Sequence, residues 1–212
     1  MTSEIIAAIL TSSPAELNSR LAAVSGLVRW AQLDVMDGQF VNNVSADLNI
    51  LEPFNYQLKI SAHLMVDNPV DYFSICRRLG CQRLIFHYEA VQNHHQILAA
   101  IKAMGLEAGL ALEPQTDIKV VSKFLPELSE ILLLAVDPGL GGQLFMASTL
   151  DRIKALRQLA PDQFISVDGG INSANIKTVA DCGANGLVVG SAIFMQPDIK
   201  QAIKDLEQKL HG

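Results

Sequence analysis

Apolar residues recur along this chain in short unbroken runs, each closed by a polar or glycine-rich turn. The runs are Ile5 to Leu10, Val28 to Val35, Lys59 to Val66 and Arg83 to Tyr88, then Glu107 to Leu112, Glu130 to Val136, Gln163 to Asp168 and Gly186 to Val189. They are rich in Val, Ile and Leu and do not alternate with polar residues, which is the pattern of strands covered on both faces. Helix signals fill the intervals. Ser13-Pro14-Ala15-Glu16 supplies an N-cap, a proline at the first helical position and an early acid for a helix to about Val24. Asp67-Asn68-Pro69 opens a helix to Leu79 that Gly80 closes, and Gln92 to Met104 is stopped by Gly105. Further helices are predicted over Asp117 to Phe124, Ala147 to Leu159, Asn172 to Cys182 and Asp198 to Leu210. The stretch from Asp37 to Asn55 is long and irregular, so it is either functional or contains a short helix.

Eight buried strands, nearly all followed by a helical segment, predict a single-domain (β/α)8 barrel over residues 1–212. A doubly wound open sheet would carry its glycine-rich loop after the first strand, where this chain has Thr11-Ser12-Ser13. No linker or shift in composition marks a second domain.

Composition narrows the partners. Half of the 212 residues are apolar and 18% are charged. Such a chain buries both faces of its sheet or covers surface in an oligomer, and a homo-oligomer is expected. The net charge is -6 with no block of Lys or Arg, which argues against nucleic acid and anionic membrane as partners. An anionic substrate would then be held by backbone N–H groups or a metal. Cys76, Cys81 and Cys182 show no metal-ligand spacing and read as small hydrophobes in a reducing compartment. The apolar run from Ile5 to Leu10 has no basic stretch before it and is too short to cross a bilayer, so a cytoplasmic location is expected.

In a barrel, chemistry gathers at the C-terminal ends of the strands. This chain places there Asp34 and Asp37, His63 and Met65, His87 and Glu89, Glu113, Asp137, Asp168, and Ser191. Asp34, His63 and Asp168 lie in or directly at the end of apolar runs, where a bare charge is costly and demands a partner. Singly, each has an ordinary structural use as a turn acceptor or a core histidine. Together, an imidazole and two carboxylates from three strands make a plausible divalent-metal site. Two opposed acids can also remove a proton from one face of a substrate and return it on the other. Met36 and Met65 flank this position as core filling or as walls of a pocket. His94-His95, at the start of a helix, reads as a solvated pair.

Glycines follow the last three strands: Gly139, Gly141 and Gly142, then Gly169 and Gly170, then Gly190 before Ser191. Glycine permits positive φ and lets backbone N–H groups face an anion. Tight turns explain one or two such clusters. Three after consecutive strands predict a phosphate cradle, which suits the absence of a basic patch.

Five ordered motifs carry a resemblance: Asp34-Val-Met-Asp-Gly, His63-Leu-Met-Val-x-Asn-Pro, Phe86-His-x-Glu-Ala, Asp137-Pro-Gly-x-Gly-Gly-Gln-x-Phe and Val167-Asp-Gly-Gly-Ile-Asn. In this order, over about residues 5 to 194, the chain resembles the ribulose-phosphate 3-epimerase family. The resemblance implies a (β/α)8 barrel, a divalent metal such as Zn2+ or Fe2+, and interconversion of D-ribulose 5-phosphate and D-xylulose 5-phosphate through a metal-stabilised enediolate. It implies that Asp34 and Asp168 act as the two acid/base groups and, with His63, as metal ligands. Phosphate would be held by Gly141, Gly142, Gly170, Gly190 and Ser191, and Met36, Met65 and His87, from their strand-end positions, are expected in the pocket. The chain departs from the family where a metal-ligand histidine is expected, and carries Gln32 instead. Other departures are Ala8 for a serine, Gln39-Phe40-Val41-Asn42-Asn43 for His-Phe-Val-Pro-Asn, and Glu113 for an Asn or Lys. An amide oxygen is a poorer zinc ligand than imidazole, so weaker metal binding, a different metal or loss of catalysis would follow. Two other functions fit the same residues: a 3-epimerase of a ketohexose 6-phosphate such as allulose 6-phosphate, and a catalytically silent phosphosugar-binding homologue.

Overall fold

A computed structural model describes residues 3–212. Eight parallel strands close into a barrel in chain order: β1 (Glu4–Ile9), β2 (Trp30–Met36), β3 (Lys59–Met65), β4 (Arg83–His87), β5 (Glu107–Leu112), β6 (Glu130–Leu134), β7 (Ile165–Asp168) and β8 (Gly186–Val189). The helices are α1 (Pro14–Val24), α2 (Val70–Leu79), α3 (His94–Ala103), α4 (Thr149–Leu159), α5 (Ile176–Asp181), α6 (Ser191–Phe194) and α7 (Ile199–His211). This is the (β/α)8 barrel predicted above. Among the described residues, no helix is long and apolar enough to cross a membrane.

Six of the eight strands split apolar residues between two cores. Ala31, Leu33 and Val35 of β2 face outward into the large apolar layer under the helices, with Ile5, Ala7, Ile9, Leu64, Leu110 and Val167. Trp30 of β2 points the other way and packs inside the barrel with Ile6, Ala8, Ile85, Leu132 and Val188. The barrel floor is polar and paired. Arg83 is buried, bonds Glu130 and Glu107, and lies 4.1 Å over the ring of Trp30. Ser166 donates to the other oxygen of Glu130.

Local signals hold where side chains satisfy them. Ser13 caps α1 by accepting from the N–H of Glu16, and Asp198 caps α7 by accepting from that of Gln201. Gly80, with φ of 92°, ends α2. Three expectations need correction. The helix expected over Asp117 to Phe124 is a 3-10 helix, Ile118–Lys123, followed by a second at Leu125–Glu127. Its backbone bonds close after three residues, as from Val120 to Asp117, and the β-branched run with Pro126 behind it leaves no room for an α-helix. The helix expected from Asn172 begins only at Ile176. Asn172 and Asn175 spend their side chains on neighbouring backbone groups and hold that stretch as turns. Strand β2 starts at Trp30, not Val28, which forms an isolated bridge with Ser25. The long loop after β2 contains a 3-10 turn at Leu48–Ile50, and the short α6 had no signal in the apolar pattern.

Candidate active site

Inward parity places Gln32 and Asp34 of β2 and His63 of β3 on the same wall, with Asp34 and His63 directly paired in register. Asp168 ends β7, three strands away around the ring by way of β1 and β8. Their side chains meet at the top of the barrel. His63 Nδ1 lies 3.2 Å from Asp34 Oδ1 and 3.7 Å from Asp168 Oδ2. The three residues form a cluster that could hold a metal ion, with ligand atoms all within 4.8 Å of one another.

Gln32 reaches into the same cluster. Its Nε2 donates to Asp34 Oδ1 at 2.9 Å and to Asp168 Oδ2 at 2.7 Å, and stands 3.4 Å from His63 Nδ1. Its Oε1 is buried and receives no hydrogen bond among the described residues. The two carboxylates and the imidazole are a donor set that fits a cation, and Gln32 here turns its NH2 toward them and leaves its oxygen without a partner.

Behind His63 lies a second histidine. His63 Nε2 is 2.8 Å from His87 Nε2, and both rings are fully buried. Burial, with the nearby His63 adding to it, drops the pKa of His87 to about 4, so it is neutral at pH 7. A neutral His87 that accepts the His63 Nε2–H leaves the Nδ1 lone pair of His63 facing the cluster. His87 Nδ1 in turn points at Glu89 Oε2, 3.5 Å away. Burial acts to raise the Glu89 carboxyl, but bonds from His87, Thr116 and the N–H of Glu113 outweigh it and hold the group below its usual range. His87 therefore stands behind the cavity as a support and is absent from its lining. Glu113 forms a second cluster with His87 and Glu89. Its carboxyl is pushed up by burial and then by Glu89 and Asp137.

Asp168 behaves oppositely to Glu89. Burial, then the charge of Asp34, pushes its pKa up to about 7. Near neutral pH, without a metal, Asp168 is therefore about half protonated and can act as acid or as base.

Over this cluster opens a cavity of about 430 Å³. Its lining includes Met36 and Met65 and every glycine singled out above: Gly139, Gly141, Gly142, Gly169, Gly170 and Gly190, with Ser191. Among the described residues, none of these seven backbone N–H groups donates to another residue. Gly170, with φ of 67°, has the backbone of Phe145 packed where a Cβ would stand, so the two glycine loops touch there. The helix that begins at Ser191 is four residues long, so it offers N–H groups but little dipole.

One residue was missed by the sequence reading. Arg20 of α1 is the one Lys or Arg that lines the cavity among the described residues. It donates to the carbonyl of Leu10 and pairs with Glu16 at 2.6 Å. Its spacing from Glu16 reads as an ordinary exposed helical pair, so nothing local flagged it. Asp37 is a turn acceptor, bound by the N–H groups of Gln39, Phe40 and Asp67, which outweigh burial and lower its pKa. His94 is also not solvated: it is buried and stacked on Tyr88, with ring centroids 4.4 Å apart. The thiols of Cys76 and Cys81 are buried as small hydrophobes.

Comparison with known proteins agrees with this geometry. At the level of fold, 3-hexulose-6-phosphate synthase from Salmonella typhimurium superimposes with a TM-score of 0.69 at 16% identity, covering 98% of this chain and 98% of that one. Ribulose-phosphate 3-epimerase of Bacillus subtilis is 35% identical over 96% of this chain and 97% of its own. The enzyme of that name from Schizosaccharomyces pombe is 34% identical over 85% of this chain and 82% of its own. On this barrel, the likeness to these relatives defines an isomerase-class enzyme acting on carbohydrates. Residues 4–194 match the profile of the ribulose-phosphate 3 epimerase family, and the chain belongs to that family.

Proposed function

We propose that this enzyme inverts C3 of a phosphorylated ketose, interconverting D-ribulose 5-phosphate and D-xylulose 5-phosphate. The observation that carries the reading is the convergence of Asp34 and Asp168, from strands on different sides of the ring, beside one imidazole. Inversion next to a ketone needs a proton taken from one face of C3 and another delivered to the opposite face. Two carboxylates facing opposite sides of C3 can do both, and Asp168, raised by burial, can hold the proton to be delivered. The free N–H groups of the glycine loops grip the phosphate, and Arg20 adds the one positive charge at that rim.

Asp34, His63 and Asp168 would hold a divalent cation, with His87 fixing the tautomer of His63 from behind. When bound, that cation supplies Lewis-acid stabilisation for negative charge building on the substrate oxygens. Met36 and Met65, packed on Val41, wall the cavity and exclude water from the exchanging proton.

One observation favours a second reading. The amide nitrogen of Gln32 bonds both carboxylates, as it would in a silent sugar-phosphate binder. Turnover of ribulose 5-phosphate in heavy water separates the two. The enzyme reading expects deuterium at C3 of recovered substrate and product, and Asp34→Asn or Asp168→Asn to lower the rate by about 10²- to 10⁴-fold. Near-normal turnover in either variant refutes the two-base assignment. A higher kcat/KM on allulose 6-phosphate would move the substrate to the hexose series.

A further inference from the structure

Gln32 Nε2, Asp34 Oδ1, His63 Nδ1 and Asp168 Oδ2 are four atoms with five known separations of 2.9, 2.7, 3.4, 3.2 and 3.7 Å. They average about 3.2 Å, and four atoms so spaced can surround one ion. A tetrahedron with edges of about 3.2 Å has its centre about 2 Å from each corner, the bond length of a divalent metal to oxygen or nitrogen. Three corners are metal-ligating atoms. The fourth is an amide nitrogen, which cannot ligate, while the oxygen of that same amide is buried without a donor. A half-turn of the amide exchanges the two atoms with almost no change of shape.

We infer that Gln32 is a rotating fourth ligand, whose amide turns NH2 inward to close the metal-free cluster and Oε1 inward to complete an oxygen-rich site for a hard divalent cation such as Mn2+. The inference rests on Asp34, His63 and Asp168 being metal ligands, and adds the orientation of Gln32 and the metal preference. Each orientation answers a different charge at the centre. Without a cation, an inward oxygen would face two carboxylate oxygens at 2.7 and 2.9 Å, whereas an inward NH2 gives each a hydrogen. With a cation the preference reverses, because only the oxygen carries a lone pair. Nothing donates to the outward amide atom, so the rotation sacrifices no bond there. The resulting set is three oxygens and one imidazole nitrogen. Such a set loses more affinity for Zn2+ than for Mn2+, relative to a set with a second imidazole.

The test is metal binding by the whole protein after chelator treatment. Mn2+ is titrated by its electron paramagnetic resonance signal and Zn2+ by competition with a chromophoric chelator. Wild type, Gln32→Leu, Gln32→His and His63→Ala are compared, each checked for folding by circular dichroism. Gln32→Leu is expected to weaken both metals by about 10- to 100-fold, as a lost ligating or supporting group does, and Gln32→His to strengthen Zn2+ by about tenfold or more with a smaller gain for Mn2+. Diamagnetic Mg2+ or Zn2+ should also move the Gln32 side-chain amide resonance of wild-type protein, a readout that survives any failure of Gln32→Leu to fold. Unchanged affinities in Gln32→Leu, equal gains for both metals in Gln32→His, or a stationary Gln32 resonance at saturating metal overturn the inference. If His63→Ala binds metal as wild type does, the cation is not at this cluster, and the metal assignment under the proposed function fails with it.

Discussion

Replacing Arg83 by leucine removes the cation that partners a buried carboxylate on the barrel floor. The Glu130 side chain is 1% exposed and, among the described residues, bonds no side chain but Arg83 and Ser166. The variant keeps the serine and loses the charge. Breaking a buried pair from one side costs about 3–5 kcal/mol. The carboxylate can escape by taking up a proton, at about 1.4 kcal/mol for each pH unit above the ordinary carboxylate range near 4.3. At pH 7 that escape costs about 3.7 kcal/mol, within the same range, while at pH 5 it costs about 1 kcal/mol. The sign is definite. In the variant the folded state binds a proton that the unfolded state has released, so its stability falls as pH rises from 5 to 7 relative to wild type. Urea unfolding at pH 5, 6 and 7 measures this, with the difference from wild type growing by about 2–3 kcal/mol across the series. Pairing Arg83→Leu with Glu130→Leu should recover most of the loss, because two apolar residues replace a pair. A pH-independent difference, or one under about 1 kcal/mol at pH 7, refutes the reasoning. Activity per folded molecule should be unchanged, since the floor and the strand-end cluster lie at opposite ends of the barrel.

Two further outcomes concern the site. Arg20→Ala should raise KM for the phosphorylated ketose by about 10- to 150-fold and leave kcat nearly unchanged, since a charge-assisted bond to a phosphate contributes about 1.5–3 kcal/mol to binding; steady-state kinetics at two ionic strengths check both. His87→Phe leaves His63 Nε2 without its partner at 2.8 Å and frees its tautomer. Metal affinity should drop by about 10- to 100-fold in a chelator competition assay, with loss of about 1–3 kcal/mol in stability from the orphaned N–H.

Much of the fold was legible because a strand covered on both faces must be apolar throughout, and eight such runs are hard to place otherwise than in a barrel. Strand-end chemistry was legible for the same reason: Asp34, His63 and Asp168 stand out where a charge is costly. The glycines after β6, β7 and β8 were legible because a turn of positive φ restricts residue type. Continuous apolar runs, though, conceal parity. Nothing in Trp30 to Met36 says which alternate residues face the barrel interior, and only ring closure sends Gln32 and Asp34 inward and Leu33 outward. The paired Arg83 and Glu130 were unreadable because their partners lie on other strands, 24 to 47 residues apart.

By itself, then, the order of residues determined the eight-fold repeat, the acids and glycines at its upper rim, and membership of the family, since each depends on what a single segment can bury or how it can turn. Tertiary structure alone decided three relations across strands. Gln32 lies against three ligand-type atoms, His87 supports His63 from behind, and Arg20 reaches the cavity from a helix. Those relations depend on distances between segments, which are set by the closure and tilt of the ring rather than by any local pattern.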